Sequence, residues 1–165
     1  MMSAKSTRRL VAQRLAAAGL QPHAVAGIMG NIAHESGFNP KATNPNGGAF
    51  GLVQWLGGRK SGLQSFAKSQ GKSASNINVQ IDYIIKEIKS GAQSGPTGRV
   101  TIKSLNARSG PEDAAEFFDR NYERSEGTTV AARRKTAAAS LGLARKAAKM
   151  SPTGDMPTPK VKGSK

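Results

Sequence analysis

Between residues 77 and 89, Ile77, Ile81, Ile84, Ile85 and Ile88 recur at helical spacing, with Asp82, Lys86 and Lys89 on the opposite side. A strand cannot present that pattern on one face, because its successive side chains alternate between faces. The stripe therefore dictates a helix with one apolar side, and other elements must cover it. Aromatic residues make up only 5% of the chain and apolar residues 37%, so the cover has to come from Ala, Leu, Val and Ile.

The neighbouring segments supply it. Residues 6–18 read as a helix with Leu10, Val11, Leu15 and Ala18 on one face, capped by Ser6 or Thr7 and ended near Gly19. Residues 21–36 read as a second helix, with Pro22 in its first turn, a stripe of Val25, Ile28, Met29 and Ile32, and Gly37 as its stop. Residues 38–58 hold Asn39-Pro40, Asn44-Pro45 and Asn46-Gly47-Gly48, and read as a loop or short hairpin. Within it, FGLVQW fits either a strand or a buried helical turn. Residues 59–70 form a short helix carrying Leu63 and Phe66, and residues 91–106 read as irregular. A helix begins at Ser109, whose spacing to Glu112 suits a capping box, and it buries Ala114, Phe117, Phe118 and Tyr122. Residues 128–149 make an Ala-rich basic helix. The expected organisation is one mainly α domain over residues 1–149 and a flexible Pro/Gly/Lys-rich tail over residues 150–165.

Charge narrows the partners. There are 25 Lys and Arg against 10 Asp and Glu, a formal net charge of +15. A balance that basic points to an anionic partner: nucleic acid, a membrane surface or a bacterial wall with its acidic polymers. The chain has no cysteine, which excludes disulfides and thiolate chemistry. Arg14 interrupts the apolar run near the start, so no secretory signal is expected, and no stretch of 18 apolar residues suggests a membrane span. The expectation is synthesis in a cytoplasm and, for a substrate beyond a membrane, delivery by other means.

Glu35 is the carboxylate of greatest chemical interest. It stands where an apolar helix meets a long polar loop, with Asn31, His34, Ser36, Asn39, Gln54 and Trp55 around it in sequence. An isolated Glu near a helix end is ordinarily a solvated surface residue. A rigid helix end facing a glycine-rich loop, however, is a common way to build a cleft. A carboxyl held against apolar surface keeps its proton more readily than one in water, which suits a general acid. His34 beside it does not make a metal motif, because Phe38 occupies the position where H-E-x-x-H needs its second His. No metal and no cofactor are expected.

GIMGNIAHESGFNP followed by GAFGLVQW resembles the lysozyme-like superfamily of peptidoglycan-cleaving domains, and in particular the phage tail lysozyme family. VQIDYIIKEI and FFDRNYERSEG are similar to later segments of that family, so the likeness runs from about Leu10 to about Ala144. The resemblance implies a helical lysozyme-like domain with a short β-hairpin or irregular loop beside an active-site cleft. It implies cleavage of the β-1,4 bond between N-acetylmuramic acid and N-acetylglucosamine, by hydrolysis or by lytic transglycosylation. By position it makes Glu35 the catalytic acid, sets Gln54 near the reacting sugar, and brings Tyr122 and Glu123 beside the cleft, with Ser36 and Asn31 as neighbours. Trp55 either stacks on a sugar ring or packs in the core.

A second carboxylate is open. Hydrolytic mechanisms place one about 5–9.5 Å from the acid, and no Asp or Glu follows Glu35 before Asp82. Glu123 is the first candidate and Glu87 the second, both of which also suit structural ion pairs; a single-acid mechanism needs neither. Arg133, Arg134, Lys135, Arg145, Lys146 and Lys149 cluster on the last helix, followed by Lys160, Lys162 and Lys165. They read either as solvated helix faces or as an anchor on anionic wall or outer-membrane polymers. The expected setting is a monomer acting on peptidoglycan, as a virion component among other virion proteins or after release at lysis. The rival reading takes residues 6–30 as a helix-turn-helix. Its second helix lacks side chains to read bases, so nucleic acid is not the expected partner. A domain that binds glycan without cutting it is the remaining alternative.

Overall fold

The computed structural model describes residues 2–150. Seven α-helices succeed one another among these residues: α1 (Ala4–Ala17), α2 (Pro22–Ser36), α3 (Gly57–Ser69), α4 (Ile77–Ser90), α5 (Ile102–Asn106), α6 (Pro111–Phe118) and α7 (Val130–Met150). A two-stranded antiparallel ribbon, β1 (Ser94–Gly95) with β2 (Gly98–Arg99), follows α4, and a π-helical turn (Asp119–Glu123) extends α6. The mainly helical, lysozyme-like class expected from the sequence is the observed one. The proposed tail lies outside the described residues.

Helix α2 is the centre. Ala24 through Ile32 are all buried along it, and it packs most extensively against α7, then α6. Two glycines make that approach possible. A Cβ on Gly27 would stand 2.6 Å from Ala114 Cβ and 2.7 Å from Ala115 N, and one on Gly30 would stand 2.5 Å from the Arg133 carbonyl oxygen. With no side chain at either place, the backbones of α6 and α7 lie directly on α2. From Ala24 to Ile32 this helix is buried against the domain, whereas a recognition helix needs an exposed side.

The isoleucine stripe behaves as its spacing demands. Ile81, Ile84 and Ile88 are fully buried, while Ile77 and Ile85 are half-buried at its margin. Asn76 caps α4 through its side chain, and Gly91, at φ +62°, ends it. Three local expectations are corrected. Ser3, not Ser6 or Thr7, caps α1 by accepting from the Ser6 N–H. Ser109 pairs with Asp113 rather than Glu112, both its N–H and its hydroxyl donating to Asp113 Oδ2. Residues 91–106 are not wholly irregular: they hold β1, β2 and α5, the last closed by a Thr101–Ser104 capping box.

The loop between α2 and α3 is neither strand nor helix. Isolated bridges link Thr43 with Phe50 and Phe50 with Trp55, and Leu52, Val53 and Trp55 point into the core. Buried Gln80 of α4 fastens the loop from beneath. Its Oε1 accepts from Leu52 N at 2.9 Å, and its Nε2 donates to the carbonyls of Pro40 (2.7 Å) and Ala74 (2.8 Å).

Candidate active site

Glu35 sits on the last turn of α2, two residues before Gly37 turns the chain with φ +59°. Its side chain is 17% exposed, reachable from solvent yet held from behind. What holds it is not apolar surface. Arg133 Nη2 of α7 donates to Glu35 Oε1 at 2.7 Å, from a guanidinium only 5% exposed. The other arms of Arg133 are fixed as well: Nη1 donates to Asn31 Oδ1 at 3.0 Å and Nε to Thr129 Oγ1 at 2.9 Å, with Asp119 Oδ1 at 3.5 Å. Asn31 is fully buried and donates to the carbonyls of Gly27 and Ala115, so α2, α6 and α7 meet at this network. The expected apolar pocket around Glu35 is therefore corrected to a buried guanidinium. Arg133 likewise leaves the basic surface to which its neighbours in sequence assigned it.

Two further carboxylates stand beside this pair, both on the π-helical turn. There the Arg124 N–H donates to the Asp119 carbonyl at 2.6 Å, five residues back, widening the helix. Asp119 is 1% exposed, and neither of its oxygens meets the geometry of a hydrogen bond within the described residues. Glu123 is half-buried overall, but its Oε1 is closed off from solvent and likewise unpartnered. Burial pushes the Glu123 carboxyl well above its ordinary value of 4.5, and the nearby charge of Glu35 pushes it the same way. Arg59 and Arg133 pull it down, with less effect than burial, and Asp119 raises it further.

Glu87, the other candidate for a second carboxylate, has a different place. It is 4% exposed and saturated with donors: Trp55 Nε1 and the Tyr122 hydroxyl, each at 2.8 Å, Arg59 Nε and Gln93 Nε2, each at 2.9 Å, and Arg59 Nη2 at 3.2 Å. It ties the loop, α3, α4 and the π-helical turn together.

Trp55 takes the core-packing side of the two readings open to it, and Tyr122 joins it at the Glu87 hub. Both are fully buried and both donate to Glu87. Tyr122 also stacks on Phe118 at 4.1 Å beneath the Arg59 guanidinium. Burial, then the charge of Glu87, raises its phenol well above 10.0. Neither ring offers a face to a sugar. Ser36 donates to the Leu52 carbonyl at 2.8 Å and to the Ile32 carbonyl at 3.2 Å, joining the loop to the end of α2. Gln54 Nε2 donates to the carbonyls of Gly51 (3.0 Å) and Ala42 (3.1 Å), so its amide nitrogen braces the loop from within.

Among the described residues, three that are not glycine adopt left-handed backbone: Phe38 (φ 63°), Gln54 (φ 56°) and Arg124 (φ 55°). Each costs about 1–2 kcal/mol relative to the right-handed form. They stand just after Glu35, in the facing loop and just after Glu123, which is where strain of this kind gathers when a site must be held in one geometry. A recess of about 610 Å³ lined by Met2, Thr7, Phe38, Pro40, Lys41 and Ile77, among others, does not include Glu35 or its partners.

Sequence reasoning missed Arg133 and Asp119. For Arg133 the signal was present: with Ala137, Ala144 and Ala147 it falls on the buried face of α7, at helical spacing from three alanines. A lone arginine on a helix's apolar side calls for a buried anion. For Asp119 the sequence carries no comparable mark.

The class of protein these features define is lysozyme-like: a helical domain with a glutamate at the end of its enclosed central helix, facing a braced, glycine-rich loop. The phage tail lysozyme family model matches residues 6–142, and the chain belongs to that family. It is thereby a phage lysozyme-like protein of the peptidoglycan-degrading kind.

Proposed function

We propose that the protein cleaves the β-1,4 bond between N-acetylmuramic acid and N-acetylglucosamine, with Glu35 as the general acid. The observation that carries this reading is the seat of Glu35: exposed enough to reach a glycan, yet fixed at one oxygen by a buried arginine. The acid gives its proton to the bridging oxygen as the glycosidic bond breaks. The carboxylate left behind is bonded to Arg133, which stabilises its charge. Ser36 and Gln54 act on substrate indirectly, by holding the loop opposite the acid. Glu123 is the first candidate for a second carboxylate, since its Oε1 is unpartnered, whereas Glu87 is saturated with donors from Trp55, Tyr122, Arg59 and Gln93.

The enzyme works at the bacterial wall, either from a virion or after lysis. An electrostatic anchor accompanies it. Helices α1 and α7 contain no Asp or Glu, pack against each other, and border a shallow groove with Lys5, Arg9 and Lys146. That face suits an anionic wall or outer-membrane polymer, and it differs from the sequence expectation in drawing on α1 and in excluding Arg133.

The test is to incubate the protein and Glu35→Gln with purified peptidoglycan and analyse released muropeptides by mass spectrometry. Products from the wild type, falling at least about 100-fold in the variant, are expected, since general acid catalysis supplies about that much. Reducing ends identify a hydrolase and 1,6-anhydro ends a transglycosylase. Variant activity within a few-fold of wild type would sink the assignment of Glu35. Wall binding without release by either protein would favour a glycan-binding domain.

A further inference from the structure

The Arg133 guanidinium is fixed on three sides. Nη1 donates to Asn31 Oδ1 at 3.0 Å, Nη2 to Glu35 Oε1 at 2.7 Å and Nε to Thr129 Oγ1 at 2.9 Å. Asn31 has no freedom of its own, since its Nδ2 donates to the carbonyls of Gly27 and Ala115, each at 3.0 Å. Asp119 Oδ1 stands 3.5 Å from Nε, close enough to balance charge but without the geometry of a hydrogen bond. Direction at Nε therefore comes from Thr129. A threonine just before a helix ordinarily turns its hydroxyl to a backbone N–H of the first turn. Thr129 stands immediately before α7 and accepts from a side chain one turn further on, while its carbonyl accepts from the Arg133 N–H at 3.0 Å.

We propose that Thr129 is a positioning residue for the cleavage. Through Nε it sets the plane of the Arg133 guanidinium, and so decides which oxygen of Glu35 is occupied and which delivers the proton. This rests on the reading of Glu35 as the acid. Arginine has donors only, so the oxygen it meets, Oε1, is the accepting end of the Glu35 carboxyl, and the acid's proton stands on Oε2. From Oε2 the proton passes to the bridging oxygen. The bond from the muramyl anomeric carbon to that oxygen breaks, and its electron pair stays with the leaving sugar as a hydroxyl. Water, or the muramyl sugar's own C6 hydroxyl, then attacks the anomeric carbon and loses a proton, which returns to Oε2.

Without the Thr129 oxygen, the acceptor left to Nε is Asp119, 1% exposed and with both oxygens unpartnered. Closing 3.5 Å to an ordinary charged hydrogen bond of about 2.8 Å moves Nε by about 0.7 Å. The guanidinium turns about its Asn31 anchor, Nη2 leaves Oε1, and the Glu35 carboxyl is free to rotate. A misplacement of about 1 Å at a reacting group costs on the order of 100-fold in rate, so a shift of this size is expected to cost tenfold or more.

The experiment is the kinetics of cleavage on soluble glycan fragments of peptidoglycan for wild type, Thr129→Val, Thr129→Ser and Glu35→Gln. Valine keeps the shape of threonine and lacks the acceptor; serine keeps the acceptor. For Thr129→Val the expected result is a kcat lowered at least about tenfold with KM within about twofold. Thr129→Ser is expected to hold kcat within about threefold of wild type, and Glu35→Gln to be inactive. A residue that only supports the fold would not separate kcat from KM, nor serine from valine. Wild-type kcat in Thr129→Val beside a dead Glu35→Gln refutes the positioning role while the acid stands. A serine variant as impaired as the valine variant also overturns it, because the oxygen is then not what matters. If Glu35→Gln is active, the reading beneath it has failed. Should Thr129→Val not fold, nitrogen-15 spectra of the wild type put the same question. A slowly exchanging Arg133 Nε–H signal supports the bond, and one exchanging as fast as those of solvated arginines overturns the proposal.

Discussion

Replacing Gly30 by alanine sets two opposed effects against each other. Alanine in a helix interior is favoured over glycine by about 1 kcal/mol. Against that, the new methyl would lie 2.5 Å from the Arg133 carbonyl oxygen and 2.9 Å from Ala137 N. Both are backbone atoms of α7, so no side chain can swing away. Restoring an ordinary contact of 3.4 Å from 2.5 Å moves the two helices apart by about 0.9 Å along their most extensive interface. Overpacking of this kind costs about 1–3 kcal/mol, and the upper end applies where neither backbone can yield alone. The net expectation is destabilisation by about 1–2 kcal/mol, a fall in melting temperature of roughly 2–8 °C for a chain of this length. Because the atom struck belongs to Arg133 itself, the guanidinium shifts against Glu35, and a displacement near 1 Å at a catalytic group costs up to about 100-fold in rate. Gly142 provides the control: it lies in α7 and a methyl there meets nothing within 4 Å. Gly142→Ala should raise the melting temperature by about 2–4 °C with activity unchanged. Calorimetry and muropeptide release on both variants decide the matter. A Gly30→Ala protein as stable and active as wild type would refute the close seating of α7 on α2.

Arg133→Met strips a buried ion pair of its cation and should cost about 3–5 kcal/mol, seen as a drop in urea midpoint of about 1.5 M or more; a shift below about 0.5 M would show that Arg133 is not the keystone of the cluster. Stability should also respond to pH through Glu123. Its folded value lies above the ordinary 4.5, so the native state binds the proton more tightly, and stability declines as pH rises from 4.5 through the folded value. Glu123→Gln removes that decline, and a melting temperature measured from acid to alkaline pH should fall less steeply in the variant; parallel curves would contradict the shift. Binding to purified walls should weaken sharply between about 0.05 M and about 0.5 M salt if the face of α1 and α7 is the anchor, and an unchanged bound fraction in a sedimentation assay would assign retention to glycan contacts alone.

The helices were legible because their apolar residues recur at one period. Ile81, Ile84 and Ile88 had to be buried once residues 77–89 were helical, and Pro22 and Gly37 framed the helix that ends at Glu35. The place of Glu35 on the last turn of that helix was legible from its position just before the Gly37 stop. What sequence obscured was the assignment of polar residues to inside or outside. Arg133 lies in a run of three cations, and only its phase on the helix separates it from Arg134 and Lys135. Trp55 and Tyr122 were legible as large rings, but which way they faced depended on Glu87, a residue 32 and 35 positions away from them, respectively, in sequence. The π-helical turn is a matter of one displaced backbone bond, for which side-chain type gives no sign.

Trp55 is the chain's one tryptophan, fully buried, bonded to Glu87 and 5.8 Å from the Tyr83 ring. That makes the protein its own optical gauge. Emission excited at the indole reports a single dry environment at the junction of loop, α4 and π-helical turn. It shifts to longer wavelength only when water reaches that junction. Glycan bound at Glu35 leaves the signal in place, whereas loss of the Glu87 hub changes it, so one fluorescence trace distinguishes an occupied site from a collapsing one.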